Sequence, residues 1–192
     1  MLDEVRVAAI VLLVIWQFIW IVTEQLDKKK KPRTKKITLP SRLYRGSITL
    51  VGLLGVLQMF DVVSIWTFRQ TQQTNLIGLT LLLIGFLISL SARISLGANW
   101  AHGAEYQIVK EQELITKGIY SVIRHPIYTG LFFAIIGIEI LAHSYLVIPT
   151  GILFFLGIYS LGKKEEKLLA KHFGSKYKEY MKKTKMFIPY LF

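Results

Sequence analysis

Pro126-IYTGLFFAIIGIEILAHSYLVIPTGILFFLGIYSL-Gly162 carries one formal charge, that of Glu139. A bilayer crossing takes about 17–25 residues of helix, so this stretch is too long for a single crossing. Two short helices folded back near Ala142–Tyr145 fit it. Upstream, Asn75–Ala92 is uncharged and makes another span, as does the run from Gly46 to Phe60, closed by Asp61 and the region of Trp66 at an interface. Val7–Thr23 is also uncharged and with its flanks gives a first span near Val5–Leu26. Five spans result.

The composition agrees with this count. Hydrophobic residues make up 53% of the 192, mean hydropathy is +0.45, and the net charge is nevertheless +12. Charges gathered into blocks between long uncharged runs are the mark of a bilayer-spanning chain, whereas a soluble domain spreads them along every amphipathic element. The expected fold is all-α: a multi-pass integral membrane helical bundle of five transmembrane helices plus an amphipathic C-terminal helix. Residues 1–74 form a two-span N-terminal region with a basic loop, and residues 75–192 a core of three spans, a polar loop over 93–125 and the tail. Without cysteine, disulfides, thiolate chemistry and cysteine-ligated metals are excluded, and no metal partner is expected. The acidic start, Met1 to Glu4, and the lack of a small-residue cleavage site favour a retained first helix over a signal peptide.

Five spans place the basic block Lys28–Arg45, the segment Arg93–Arg124 and the nine lysines from Lys163 onward on one face, and leave Arg6 and Arg69 on the other. The positive-inside rule makes the basic face cytoplasmic, with the N-terminus outside and the C-terminus inside. In the tail, Leu168, Leu169, Phe173, Tyr177, Tyr180 and Met181 recur at helical spacing among lysines. That pattern suits a helix lying on an anionic membrane surface or against the loop before the fourth span, bent or broken at Gly174. The run Lys28–Lys36 is topogenic and lipid-facing, and without base-stacking aromatics among its lysines no nucleic-acid partner is expected.

Two segments differ from ordinary loops. In Leu114-ITKGIYSVIRHPIYT-Gly130, Gly118 permits a tight turn and Pro126 suits the first turn of a helix. Arg124 and His125 then stand at a helix start, which attracts carboxylate or phosphate. By themselves these residues suit a plain interface better, with Arg124 marking the inside face, His125 an ordinary interfacial residue and Tyr128 part of an aromatic belt. The second segment, Lys163-KEEKLLAKHFGSKYKE-Tyr180, sets the adjacent Glu165 and Glu166 in a predominantly basic stretch. They can be helix-surface partners of lysines three or four residues away, or an acidic flank for a bound cation.

Taken together, Leu-Gly-x-Asn-Trp100, the run Leu114–Tyr120, Arg124-His125-Pro126-x-Tyr128-x-Gly130, and Glu165-Glu166 with Phe173-Gly174-x-x-Tyr177-x-x-Tyr180 resemble the isoprenylcysteine carboxyl methyltransferase family, and more loosely the phospholipid methyltransferases. The likeness runs from about Arg93 onward. It implies an S-adenosylmethionine-dependent methyltransferase whose cofactor lies between the loop before the fourth span and the C-terminal helix. The positions matching its contacts are Gln112, Glu113, Leu114, Ile115, Tyr120, His125, Pro126, Ile127, Tyr128 and Glu165. The implied acceptor is the C-terminal carboxylate of a prenylated cysteine, or a similar lipidated or amphiphilic carboxylate, entering from the membrane lipid. A phospholipid amine is the alternative acceptor, and a non-catalytic cofactor- or partner-binding protein the alternative outside enzymes.

The sequence departs from the family at one important place. An arginine usual four residues before the first glutamate is replaced by Leu161, and Lys164 is the candidate substitute for binding the acceptor. Lysine lacks arginine's bidentate fork. Ala101 stands where a serine is common. Glu139 lies 13 residues after Pro126, about 20 Å along a helix and far from this site, so an interfacial or packing role with His143 nearby is expected of it.

Overall fold

The computed structural model describes residues 2–30, 39–100 and 112–189, and residues 31–36 of the basic run and Ala101 lie outside them. Among the described residues the chain is helical and contains no strand, only two isolated bridges. Its helices are α1 (Leu2–Lys30), α2 (Leu39–Met59), α3 (Gln72–Leu96), α4 (Pro126–Leu141), α5 (Val147–Phe173) and α6 (Ser175–Lys183). Glu4–Asp27 and Gln72–Asn99 are long and apolar enough to cross a membrane by length and composition, while Thr49–Met59 and Pro126–Leu141 are shorter apolar helices.

Local chemistry sets the ends. Thr71 caps α3 through a reciprocal pair with Thr74, and Gly97, at φ +49, stops it. Pro126 opens α4 where its missing N–H costs nothing. The expected fold-back after α4 occurs at residues 142–146, between Leu141 and Val147. α5 then runs through the paired glutamates to Phe173, and Gly174, at φ +59, breaks it from α6.

α3 and α4 make the tightest packing. A Cβ on Gly85 would lie 2.5 Å from the Gly130 carbonyl oxygen, and one on Gly137 would lie 2.7 Å from that of Gly78. Two facing glycine pairs, seven residues apart on each helix, thus let the backbones touch, the usual device where lipid removes the hydrophobic drive between helices. α1 leans on this pair through Ala9, Leu13 and Trp16, and exposes Val7, Val11, Val14 and Phe18 on its other side.

Arg93 is not in the polar loop where its charge suggested. It belongs to the last turn of α3 and is 1% exposed. Its guanidinium bonds Asp27 of α1 at 2.5 Å and the Gly97 carbonyl at 3.1 Å, and lies 4.5 Å from the centre of the Trp100 ring. A buried charge needs such partners, and only Nε of this guanidinium is left without a hydrogen bond. At the far end of the bundle, the segment after α2 is pinned to the α4–α5 turn, with Phe68 N–H donating to His143 and Tyr145 N–H to Trp66. Glu139 and His143 are both buried there.

Candidate functional site

The residues just before α4 are held by the segment that follows α6. Arg124 N–H donates to the Lys185 carbonyl at 2.9 Å, His125 N–H to Met186 at 3.0 Å, and Lys185 N–H back to Val122 at 3.2 Å. Thr129 adds a hydroxyl bond to Phe187 O at 3.1 Å. The amides of Arg124 and His125 are therefore occupied by this strap, and the next residues of α4 beyond Pro126, Ile127 and Tyr128, line a cavity.

That cavity has a volume of about 640 Å³ and two unlike ends. One is polar, bounded by Gln112–Ile115, Tyr120, His125, Tyr128, Glu165, Tyr177 and Tyr180. The other is apolar, running between α1 and α4 past Leu13, Leu131, Ala134, Ile135 and Ile138. Nine of the ten residues picked from the sequence for a cofactor line it: Gln112, Glu113, Leu114, Ile115, Tyr120, His125, Ile127, Tyr128 and Glu165. Pro126 is not in the lining, because its ring takes the first turn of α4. Lys164 is exposed and lies outside the lining, since its place on α5 turns it away, while Leu161 is buried.

The tail helix packs against the loop before α4, one of its two expected placements. Tyr180 donates to the Tyr120 carbonyl at 2.6 Å, and Leu168, Leu169, Phe173 and Tyr177 turn the tail's apolar face into cavity wall. On α5, Glu165 accepts from the Tyr128 hydroxyl at 3.1 Å and lies 3.6 Å from His125 Nδ1. Glu166 is buried and accepts from Arg124 Nε at 2.6 Å, while His125 Nε2, 3.5 Å away, is in electrostatic contact without hydrogen-bond geometry. Arg124 also donates to the Thr184 carbonyl. The His125 ring stacks on Tyr128 with centroids 5.5 Å apart.

Burial pushes the Glu166 carboxyl up, but the His125 imidazole close by and the bonded Arg124 guanidinium outweigh it and hold the group below the ordinary carboxylate range. Tyr120 goes the other way, raised first by burial and then by Glu165 and Tyr180. Burial likewise raises Tyr177 and Tyr180. All three phenols are thus held in the protonated form, and that of Tyr180 donates to the Tyr120 carbonyl. A partly exposed carboxylate at Glu165 beside aromatic faces suits a cationic centre, and an imidazole beside a helix start suits an anionic one. The polar end thus fits a small zwitterion, and the apolar end a hydrocarbon chain. Among the described residues no group of three or more His, Asp or Glu could hold a metal ion.

Leu13, Gln17, Trp20 and Glu24 of α1 and Thr49 and Gly52 of α2 also wall the cavity, and the sequence reading passed over them. Those of α1 follow the i, i+4, i+7, i+11 pattern of one helix face, so Gln17 and Glu24 in an apolar helix were a readable signal. Asn99, from the quoted Leu-Gly-x-Asn-Trp motif, accepts from Glu113 N–H at 2.9 Å and fixes the returning loop.

Comparison with known proteins agrees with this architecture. The isoprenylcysteine O-methyltransferase B of Arabidopsis thaliana is 25% identical over 158 residues, which cover 81% of this chain and 80% of that protein. The enzymes named protein-S-isoprenylcysteine O-methyltransferase from Xenopus laevis and Schizosaccharomyces pombe are each 31% identical, over 64% and 61% of this chain. The chain spans only 43% and 49% of those two proteins' lengths. A solved structure of the eukaryotic intramembrane Ras methyltransferase, an isoprenylcysteine carboxyl methyltransferase, shares the fold with TM-score 0.69 at 21% identity, covering 94% of this chain and 64% of that one. Residues 73–176, from the start of α3 through the break after α5, match the family model described as phospholipid methyltransferase. With more than half of its length inside that match, the chain belongs to the phospholipid methyltransferase family, and its matched curated relatives are isoprenylcysteine O-methyltransferases.

Proposed function

We propose that this chain is a membrane-embedded methyltransferase that uses S-adenosylmethionine to methylate the carboxylate of a prenylated cysteine, or a similar amphiphilic carboxylate. One observation carries the reading: a single cavity is zwitterion-fitting at one end and apolar at the other. The names of the relatives support the acceptor class. When bound, S-adenosylmethionine supplies an electrophilic methyl group on a sulfonium. In this reading Glu165, oriented by Tyr128, faces the cationic centre. His125 and the start of α4 take the donor's carboxylate, with Gln112–Ile115 and Tyr120 enclosing the rest. An acceptor carboxylate is ionised at neutral pH, so these residues need only position the reactants and exclude water. The acceptor's lipid enters sideways from the bilayer, along Leu131, Ala134, Ile135 and Ile138.

The same reading carries five spans, an outside N-terminus and a cytoplasmic C-terminus. It keeps residues 75–192 as the methyltransferase core, with residues 1–74 contributing the α1 and α2 walls. A second reading, N-methylation of a phospholipid amine, is favoured by one feature. Among the described lining residues Arg124 is the only lysine or arginine, and it is already bonded to Glu166. An amine acceptor needs no cation to receive it.

Calorimetric titration of the purified protein tests the cofactor site. His125→Ala and Glu165→Ala are each expected to weaken S-adenosylmethionine binding about tenfold to a hundredfold, the worth of a charge-assisted hydrogen bond, and Glu139→Ala to leave it unchanged. Unchanged affinity in both site variants overturns the site. Supplying prenylcysteine and aminophospholipid acceptors with labelled donor separates the two reactions, and tight donor binding without turnover of either acceptor leaves only a binding scaffold.

A further inference from the structure

On the other side of Arg124 lies a second hollow of about 360 Å³ that the methyl-transfer reading does not use. Its described lining includes five basic residues, Arg124, Lys163, Lys182, Lys183 and Lys185, and no acidic one. The nearby carboxylate, Glu166, is already bonded to Arg124, and Lys163 Nζ stands 3.9 Å from it. Five cations gathered in one concavity repel each other, an arrangement that an anion relieves.

The hollow is also held in shape. Thr184 donates to the Tyr180 carbonyl at 2.8 Å and its own carbonyl receives Arg124. Lys185 is locked to Val122 through its N–H, and Met186 is buried. The backbone carrying Lys182, Lys183 and Lys185 is therefore fixed while their side chains remain exposed. This differs from a loose basic tail, whose charges have no common focus.

Its position says what kind of anion fits. Lys163 follows the last residue of the uncharged stretch, and its ammonium lies 5.5 Å from the centre of the Tyr159 ring. Along the same stripe of α5, at steps of three or four residues, come Leu156 and Ile152, both more than half exposed. A basic hollow thus caps an unpartnered apolar stripe on a helix that leaves the bilayer at that level. A free phosphate would use only the hollow, whereas a phospholipid would use both.

We propose that this hollow binds the phosphate-bearing headgroup of an anionic membrane lipid whose acyl chains lie along the Leu156–Ile152 face of α5. The inference rests on the membrane-embedded reading but not on methyl transfer, and lipid retention can be measured without any turnover. Arg124 walls both cavities, so an occupied hollow acts on the guanidinium that pairs with Glu166.

The full chain is reconstituted in phosphatidylcholine nanodiscs containing a minor fraction of phosphatidylglycerol, and retained lipid is counted by native mass spectrometry. Wild type is expected to retain one phosphatidylglycerol in preference to phosphatidylcholine. Lys182→Gln with Lys185→Gln is expected to lower that retention about tenfold or more, two headgroup-contacting lysines being removed. Lys171→Gln with Lys178→Gln removes the same charge from exposed positions outside the hollow and is expected to change retention less than about twofold. Unaltered thermal melting and S-adenosylmethionine titration establish that both pairs fold. Equal loss in the two pairs means diffuse attraction and overturns the site. So does indifference of wild type to the headgroup, and so does equally tight binding of soluble glycerol phosphate by lipid-free protein in detergent.

Discussion

Glu165 and Glu166 leave α5 one residue apart, and the turn of about 100° between them gives each a different environment. Glu165 faces the cavity, while Glu166 is buried against Arg124 and His125. Since Glu166 is held below the ordinary carboxylate range, the stability it contributes is complete above about pH 4.3 and is lost as pH falls through the lower folded value. Glu166→Gln is expected to lower stability at neutral pH by about 1.5–3 kcal/mol, the worth of a hydrogen bond to a charged group, and to flatten the decline at acid pH. Thermal unfolding of both proteins in detergent from neutral to acid pH checks this, and parallel curves would contradict it. The sequence drew attention to both glutamates because they stand among lysines. It could not tell which would pair with Arg124, for that bond spans 42 positions. Arg93 escaped for the same reason, its partner Asp27 being 66 residues away. Local charge reads as loop until the opposite charge is known.

Among the elements, α3 and α4 depend on the absence of side chains at Gly78, Gly85, Gly130 and Gly137. A Cβ at Gly85 would meet the Gly130 carbonyl and lie 2.8 Å from the Ala134 nitrogen, and neither backbone atom can swing aside. Gly85→Val is therefore expected to cost about 1–3 kcal/mol or more, as overpacking does, whereas Gly157→Ala, with nothing within 4 Å of the added carbon, is expected to be nearly silent. Melting temperatures of the two variants in one detergent decide it, and a silent Gly85→Val would mean that the helices do not touch there. The helices themselves were legible, because long uncharged runs and the breaks at Pro126 and Gly174 are local properties. The pairing of the glycines was not. Their seven-residue spacing can be read in each helix, but which helix faces which is decided by the loops and the far contacts.

For the whole molecule, charge sorting makes a definite topological prediction. A reporter fused before Met1 is expected to read as external and one fused after Phe192 as cytoplasmic, and a C-terminal reporter that reads as external would refute the five-span arrangement. The candidate site was legible from α3 onward because its motifs are contiguous. The walls from α1 and α2 were not, because they enter only through tertiary packing. The strap of Lys185, Met186 and Phe187 across Val122, His125 and Thr129 ties the cavity to the order in which the chain is made. Synthesis proceeds from the N-terminus at about 5–20 residues per second, so the glycine-paired helices leave the ribosome before α5 and α6. Until Phe187 has left the ribosome, the amides of Arg124 and His125 lack their acceptors and the tail has not closed the cavity wall. The docking of α3 on α4 can therefore precede the closed cavity, and ligand binding reports a chain made at least through Phe187.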